Sequence, residues 1–271
     1  MKKNILKLAG IIFILGIILT TTAIVYLYHE PKIAVLSYHN VATNKKSSSE
    51  KNLWCISVEN FEEEMKYLHD HHYKTLTMDE FCKWKRGEIN LPFKSVLVTF
   101  DDGLLSNYQF AFPILKKYNI NATLFMIGEN SEKIGDTPNN WTGELISYMS
   151  KDQIEKTKQE YPNVEIYSHT YGMHKEVDGI AAAKKYKKEQ MLEDIQKYEN
   201  YMGKTEVIAY PFGVTNERFI NALKKKGYKY GFVLGDNKKA TRKDNDFMIN
   251  RINTSYDKKI SHFGLRFWLP Y

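Results

Sequence analysis

Two imidazoles and a pair of adjacent carboxylates stand out as residues able to do chemistry together. His169 and His174 lie five positions apart in Ser168-His169-Thr170-Tyr171-Gly172-Met173-His174, and Asp101-Asp102-Gly103 follows the apolar run Ser95–Phe100. A histidine pair with a carboxylate is a common catalytic zinc set that leaves positions for water and substrate. A spacing of five does not put two histidines on one helix face, so the helical zinc-protease pattern is excluded and a loop must carry them. Taken singly, each piece has an ordinary reading. Asp-Asp-Gly suits a turn, and a lone histidine at a strand end is often only hydrogen-bonded. The combination is far more specific than its parts. A glycosidase pair made of Asp101 and Asp102 is disfavoured, because neighbours on a strand point to opposite faces and would not flank one glycosidic bond.

These residues share a position. His39 closes the run Ile33–Tyr38, Asp101 and Asp102 close Ser95–Phe100, His169 closes Val164–Ser168, Tyr210-Pro211-Phe212-Gly213 closes Val207–Tyr210, and Arg251 lies near the end of Ile249–Asn253. Further strand-like runs are Lys74–Thr77, Ala122–Ile127 and Tyr230–Leu234, and helical patterns fall between them, as at Phe61, Met65 and Leu68 or Met191, Ile195 and Tyr198. Runs such as Val96-Leu97-Val98 are apolar without alternation, as expected of strands buried on both faces of a parallel sheet. Repeated βα units predict an α/β fold, a distorted (β/α) barrel of about seven strands, with an open doubly wound sheet as the alternative. In a barrel the C-terminal strand ends form one mouth, where active sites are built. Polar stretches at Thr43–Glu50 and Glu129–Asn140 are predicted loops.

Composition sets limits. The chain has 271 residues, 43% of them hydrophobic and 26% charged, which excludes a disordered tail, and its two cysteines exclude a disulfide scaffold. The formal net charge of +7 comes from scattered lysines rather than a stripe, so no nucleic-acid partner is expected. Lys2, Lys3 and Lys7 precede an apolar stretch from Leu8 to Leu27. About 20 apolar residues suffice for a membrane-spanning helix, so residues 1–28 read as a signal peptide or membrane anchor, and residues 32–271 as one exported domain. Cys55 and Cys82 are able either to form one bridge or to remain buried thiols. His69, His71 and His72 end a helix and read as structural. The aromatic Phe263–Tyr271 reads as a final packed segment or a lipid or glycan contact.

At Thr99-Phe100-Asp101-Asp102-Gly103, Ser168-His169-Thr170 to His174 and Tyr210-Pro211-Phe212-Gly213, in that order, the sequence resembles the polysaccharide deacetylases, carbohydrate esterase family 4 or the NodB-homology family. The resemblance covers Ile33 to Ser255. The early Ser37-Tyr38-His39-Asn40-Val41 resembles the circularly permuted branch that deacetylates poly-β-1,6-N-acetylglucosamine, and His262 lacks the context of the catalytic histidine found late in most of the family. The resemblance implies a metal-dependent N-deacetylase that releases acetate from an N-acetylglucosamine polymer of the biofilm. Asp102, His169 and His174 would hold a divalent metal, most simply Zn²⁺. Asp101 would be the general base and His39 the general acid. Tyr210 and Phe212 would contribute to the pocket wall and oxyanion site, and Trp141 to the sugar groove. Ala209 stands where the family has an arginine, so Arg251 is the candidate to orient Asp101; Phe212 replaces a tyrosine. The same resemblance implies an extracytoplasmic protein, membrane-anchored or secreted and surface-associated, with the glycan synthesis and export machinery as a partner. Two other functions remain open: a deacetylase of peptidoglycan or chitin-like oligomers, and an inactive glycan-binding matrix protein.

Overall fold

The computed structural model describes residues 7, 10–21, 31–43, 54–254 and 260–268. The chain divides into two compact units, Met1–Pro31 and Lys32–Tyr271. In the first, residues 10–21 are helical. Among the described residues no helix is long and apolar enough to cross a membrane; the rest of the 1–28 segment lies outside them, as does most of the expected loop after Thr43.

The second unit contains the strands β1 (Ala34–Tyr38), β2 (Asn40–Ala42), β3 (Cys55–Ser57), β4 (Lys74–Thr75), β5 (Ser95–Phe100), β6 (Ala122–Met126), β7 (Val164–Ser168), β8 (Glu176–Val177), β9 (Ile180–Ala181), β10 (Val207–Ala209), β11 (Tyr230–Leu234) and β12 (Ile249–Asn253). Seven of them close a parallel barrel in the order β1, β12, β11, β10, β7, β6, β5 and back to β1, while β4 pairs with the start of β5, at Ser95 and Val96, before β6 joins it. The expected (β/α) barrel of about seven strands is therefore the fold, and the doubly wound alternative falls because β1 pairs with both β5 and β12.

The period-two alternation of a strand explains the two layers of core. Val35, Leu97, Phe125, Ala209, Phe232 and Ile249 belong to one buried cluster, and their chain neighbours Leu36, Val98 and Leu124 to another. The first cluster fills the barrel. Phe125 and Phe232 sit on strands that are not neighbours, yet their rings lie 5.6 Å apart, across the interior. Helix Met78–Lys85, begun by a Thr77/Glu80 capping box, sends Phe81 to within 5.5 Å of Phe232. Outside, helix Val58–Asp70 packs on the second cluster through Phe61, Met65 and Leu68. The C-terminal helix Ile260–Trp268 lays Phe263 and Phe267 against Tyr67 and Tyr73, so the described part of that aromatic segment is packed.

The barrel is distorted at one seam. β6 and β7 pair through five positions, whereas β7 and β10 meet only at Ser168 and Ile208. The seam is closed at the C-terminal end, where the site lies. Towards the N-terminal ends Glu165, Tyr167, Val207 and Cys82 line a cavity of about 540 Å³. The predicted loop Glu129–Asn140 begins instead as part of the helix Gly128–Ile134, because apolar periodicity is a poor guide to a short polar helix.

Cys55 and Cys82 are both buried and no bridge joins them. Burial pushes the Cys82 thiol up to about 12, so almost none of it is thiolate at neutral pH. The native protein should accordingly react slowly with a thiol reagent at Cys82, and urea-unfolded protein should titrate both thiols without prior reduction. Absence of titratable thiol after unfolding would contradict this arrangement.

Candidate active site

All seven barrel strands run parallel, so their C-terminal ends open on one mouth. A cavity of about 500 Å³ there is lined by His39 and Asn40 after β1, Asp101 and Asp102 after β5, His169 and His174 after β7, Phe212 and Gly213 after β10, and Leu234 of β11. Trp54, Leu104, Ile146 and Tyr148 complete the wall.

Asp101 and Asp102 diverge because the chain turns sharply between them. Asp101 continues β5: its N–H donates to Tyr38 O at 3.0 Å, and its side chain points to the barrel interior. There the buried Arg251 donates two hydrogen bonds to it, Nη1 to Oδ1 at 2.6 Å and Nη2 to Oδ2 at 2.8 Å. Burial alone would raise the Asp101 pKa, but the guanidinium and the nearby imidazoles outweigh it and hold the carboxyl below the usual range. Asp102 follows with φ of 73°, in the left-handed region, and this reverses its side chain towards the histidines.

Asp102 Oδ1 lies 3.4 Å from Nε2 of both His169 and His174, and the three ligand atoms fall within 4.8 Å of one another. The residues fit a cation on two grounds. Asp102 Oδ1 is buried and makes no hydrogen bond, in spite of the two nitrogens beside it. The His169 Nδ1 lies 2.9 Å from Ala209 O, a group that only accepts, so Nδ1 carries the proton and Nε2 presents a lone pair. Burial would keep His169 neutral, yet Asp101 and Asp102 overcome it and raise its pKa; a field that draws a proton in this way also draws a metal ion. Opposite this triad, His39 Nε2 is 3.7 Å from Asp101 Oδ2, and the His39 ring packs at 4.6 Å from Trp54. Burial lowers the His39 pKa, against the pull of both aspartates.

The backbone carries strain at this mouth. Positive φ at Asn, Asp or His is tolerated, but at other side-chain-bearing residues it is costly. Among the described residues, the two of that other kind with positive φ are Thr170 and Phe212, and both border the site. Gly213 presses on the end of β11, where an added Cβ would come within 2.6 Å of Leu234 N and O. That contact fixes the Tyr210–Gly213 turn against the barrel rim.

The sequence profile of the family described as "Polysaccharide deacetylase" matches residues 88–231. The poly-beta-1,6-N-acetyl-D-glucosamine N-deacetylase of Staphylococcus aureus (strain MRSA252) is 33% identical over 245 residues, covering 85% of this chain and 81% of its own. The chain belongs to the polysaccharide deacetylase family. Among solved structures, IcaB from Ammonifex degensii superposes with a TM-score of 0.67 at 26% identity, over 88% of this deacetylase and 97% of that chain. The de-N-acetylase from Aggregatibacter actinomycetemcomitans shares the fold, with a TM-score of 0.70 at 23% identity over 86% of this chain and 99% of that one.

Of the residues singled out in the deacetylase sequence, His39, Asp101, Asp102, His169, His174 and Phe212 all line the cavity, and Arg251 stands directly behind Asp101. Two do not reach it. The Tyr210 side chain is buried in an outer cluster, with its ring 5.5 Å from Phe219, because alternation sends it away from the inward-facing Ala209. Trp141 packs edge-on to Phe110 at 5.5 Å and is absent from the cavity wall. Trp54 and Tyr148, which no catalytic motif marks, do line the wall, together with Phe212. His262 is exposed on the C-terminal helix.

The ion pair yields a test. Arg251→Ala leaves a buried carboxylate without its partner, so urea unfolding near pH 7 should show a loss of about 3–5 kcal/mol. The wild-type Asp101 pKa is depressed, so the pair's contribution is present above the unfolded carboxylate pKa and is lost as pH falls through the lower folded value. The gap between wild type and variant should therefore narrow on acidification. A gap independent of pH would contradict the assignment of the charge to Asp101.

Proposed function

We propose that the protein is a metal-dependent N-deacetylase of poly-β-1,6-N-acetylglucosamine, the exopolysaccharide of biofilms, acting outside the cytoplasm. The observation that carries the reading is the triad of Asp102, His169 and His174 beside a second, arginine-held carboxylate. The linkage rests on the Staphylococcus aureus relative, whose name specifies that polymer, and on the early His39. The basic start and apolar Leu8–Leu27 support an N-terminal membrane anchor or signal, which would place the domain near the machinery that makes and exports the glycan.

Asp102, His169 and His174 would hold a divalent ion, Zn²⁺ by the chemistry of these donors, which would supply a Lewis acid to activate water and polarise the acetyl carbonyl. The remaining chemistry belongs to the side chains. Asp101 stays ionised through its guanidinium partner and is placed to take a proton from the attacking water. An imidazolium near a metal needs an acidic neighbour, and Asp101 at 3.7 Å is that neighbour for His39. Burial keeps His39 neutral at rest, so it takes on the proton that Asp101 drew from the water and passes it to the departing glucosamine nitrogen. Phe212 closes the wall beside His174, ring to ring at 4.3 Å, and its backbone N–H is the candidate donor to the oxyanion. Acetate leaves, and the sugar keeps a free amine that is cationic at neutral pH.

Incubating the protein with N-acetylglucosamine polymers, with and without a chelator, tests this reading through the free amine formed. Chelator-sensitive release from the β-1,6-linked polymer is expected. Preference for a β-1,4-linked polymer would move the substrate to peptidoglycan or chitin-like oligomers, and no release from either would leave an inactive glycan-binding protein. Asp101→Asn should retain metal and lose at least about 100-fold in kcat, within the range for removing a general base. His39→Ala should also spare metal binding and slow turnover. An unchanged rate in either variant would remove the role given to that residue.

A further inference from the structure

The five-residue interval between His169 and His174 leaves a turn that must be held from outside if the second imidazole is to meet the first. His169 is fixed at the end of β7, but His174 lies beyond the apex. The turn is bonded at several points. Thr170 N–H donates to Ser168 Oγ at 3.1 Å, and Met173 N–H to Thr170 Oγ1 at 3.2 Å. Thr170 O and Tyr171 O accept from the first amides of helix Gly128–Ile134, Gly128 at 3.2 Å and Glu129 at 2.8 Å. The apex amides go to a single carboxylate. Tyr171 N–H donates to Asp194 Oδ2 at 2.9 Å and Gly172 N–H to Asp194 Oδ1 at 2.7 Å.

Asp194 is buried on the inner face of helix Lys188–Met202 and does not line the catalytic cavity. With one amide on each oxygen, the carboxylate spans the apex and prevents it from rocking about a single bond. Hydrogen bonds to an ionised acceptor are roughly twice as strong as neutral ones. The fit is close: a Cβ on Gly172 would come within 2.9 Å of Glu129 Oε2 and 3.7 Å of Asp194 Oδ1. Thr170 holds φ of 70° within this frame, a conformation a β-branched residue keeps only where its surroundings impose it.

We infer that Asp194 is a positioning residue of the metal site, which sets the reach of His174 towards Asp102 and His169 by gripping the Tyr171 and Gly172 amides. The inference rests on the metal-site reading above. Partners outside the ligand set commonly alter metal affinity by about 10–100-fold when removed, and Asp194 acts at one further remove, through the backbone.

Chelator competition with Zn²⁺ and Co²⁺ on the full-length wild type, Asp194→Asn and Asp194→Ala tests it. Asn keeps the size of the side chain but turns an N–H towards one of the two amides. Affinity should fall about 10-fold or more in Asp194→Ala and by less in Asp194→Asn, and the visible Co²⁺ spectrum should change with the displaced imidazole. A folded variant that binds both ions within twofold of wild type would overturn the inference. Should neither variant fold, amide exchange in the metal-free wild type decides it: Tyr171 and Gly172 are expected to be protected, and exchange at the rate of an unstructured chain would overturn the clamp. A wild type that binds neither ion would defeat the metal-site reading itself, and the exchange result would still report on the clamp.

Discussion

The buried pair between Arg251 and Asp101 is the interaction on which the site depends. The two residues stand on β12 and β5, which are not neighbours; β1 lies between them and pairs with both. The guanidinium therefore reaches the carboxylate only across a closed barrel. Removing two charges from water is costly, and a buried pair recovers that cost only with good geometry and further hydrogen bonds. Here the pair is bidentate, and Arg251 also has Thr99 Oγ1 and Val233 O within 3.4 Å and the Phe125 ring at 5.6 Å. Such a pair is weak evidence for stability, but it fixes the rotamer and charge of one carboxylate.

The division of labour between the two aspartates follows from that pair. Both are buried among imidazoles, and two unscreened carboxylates so close together would raise each other's pKa. Arg251 neutralises Asp101 and leaves the uncompensated negative charge at Asp102, where the lone pairs of two histidines converge. The arrangement thus suits a cation at one acid and keeps an ionised acceptor at the other. The left-handed turn at Asp102 makes the separation geometric as well as electrostatic, since neighbours in a strand point apart and this turn decides where the second one points.

Much of this was legible in the sequence because the signals were local. Non-alternating apolar runs gave the parallel strands, and polar groups immediately after them gave the mouth. The candidate metal triad needed only the knowledge that strand ends meet. The misassigned residues depended on information that is not local. Tyr210 sits in a motif, but its direction is set by the inward Ala209 one position earlier. Trp54 and Trp141 look alike in sequence, and only the pairing of β2 with β3 brings Trp54 to His39: Asn40 N–H donates to Trp54 O at 2.9 Å. Helix Gly128–Ile134 has too few apolar residues to show a period, yet it supplies amides to the histidine turn.

The most informative departure from the family pattern is Ala209. Read along the chain, an alanine in place of an arginine suggests a lost function. In three dimensions positions 209 and 251 both face the barrel interior, on strands separated only by β11. A long side chain at each would compete for the space beside Asp101. The small Ala209 leaves that space to Arg251, while its carbonyl sets the His169 tautomer. The arginine is thus relocated to another strand rather than missing, and the carboxylate it serves keeps a bidentate partner. A protein with no use for the carboxylate could exchange both partners for apolar residues at little cost, although losing one alone would destabilise it. Retention of that pair, in the presence of an orphaned carboxylate oxygen between two imidazoles, argues for a working hydrolase over a binding protein that kept only the fold.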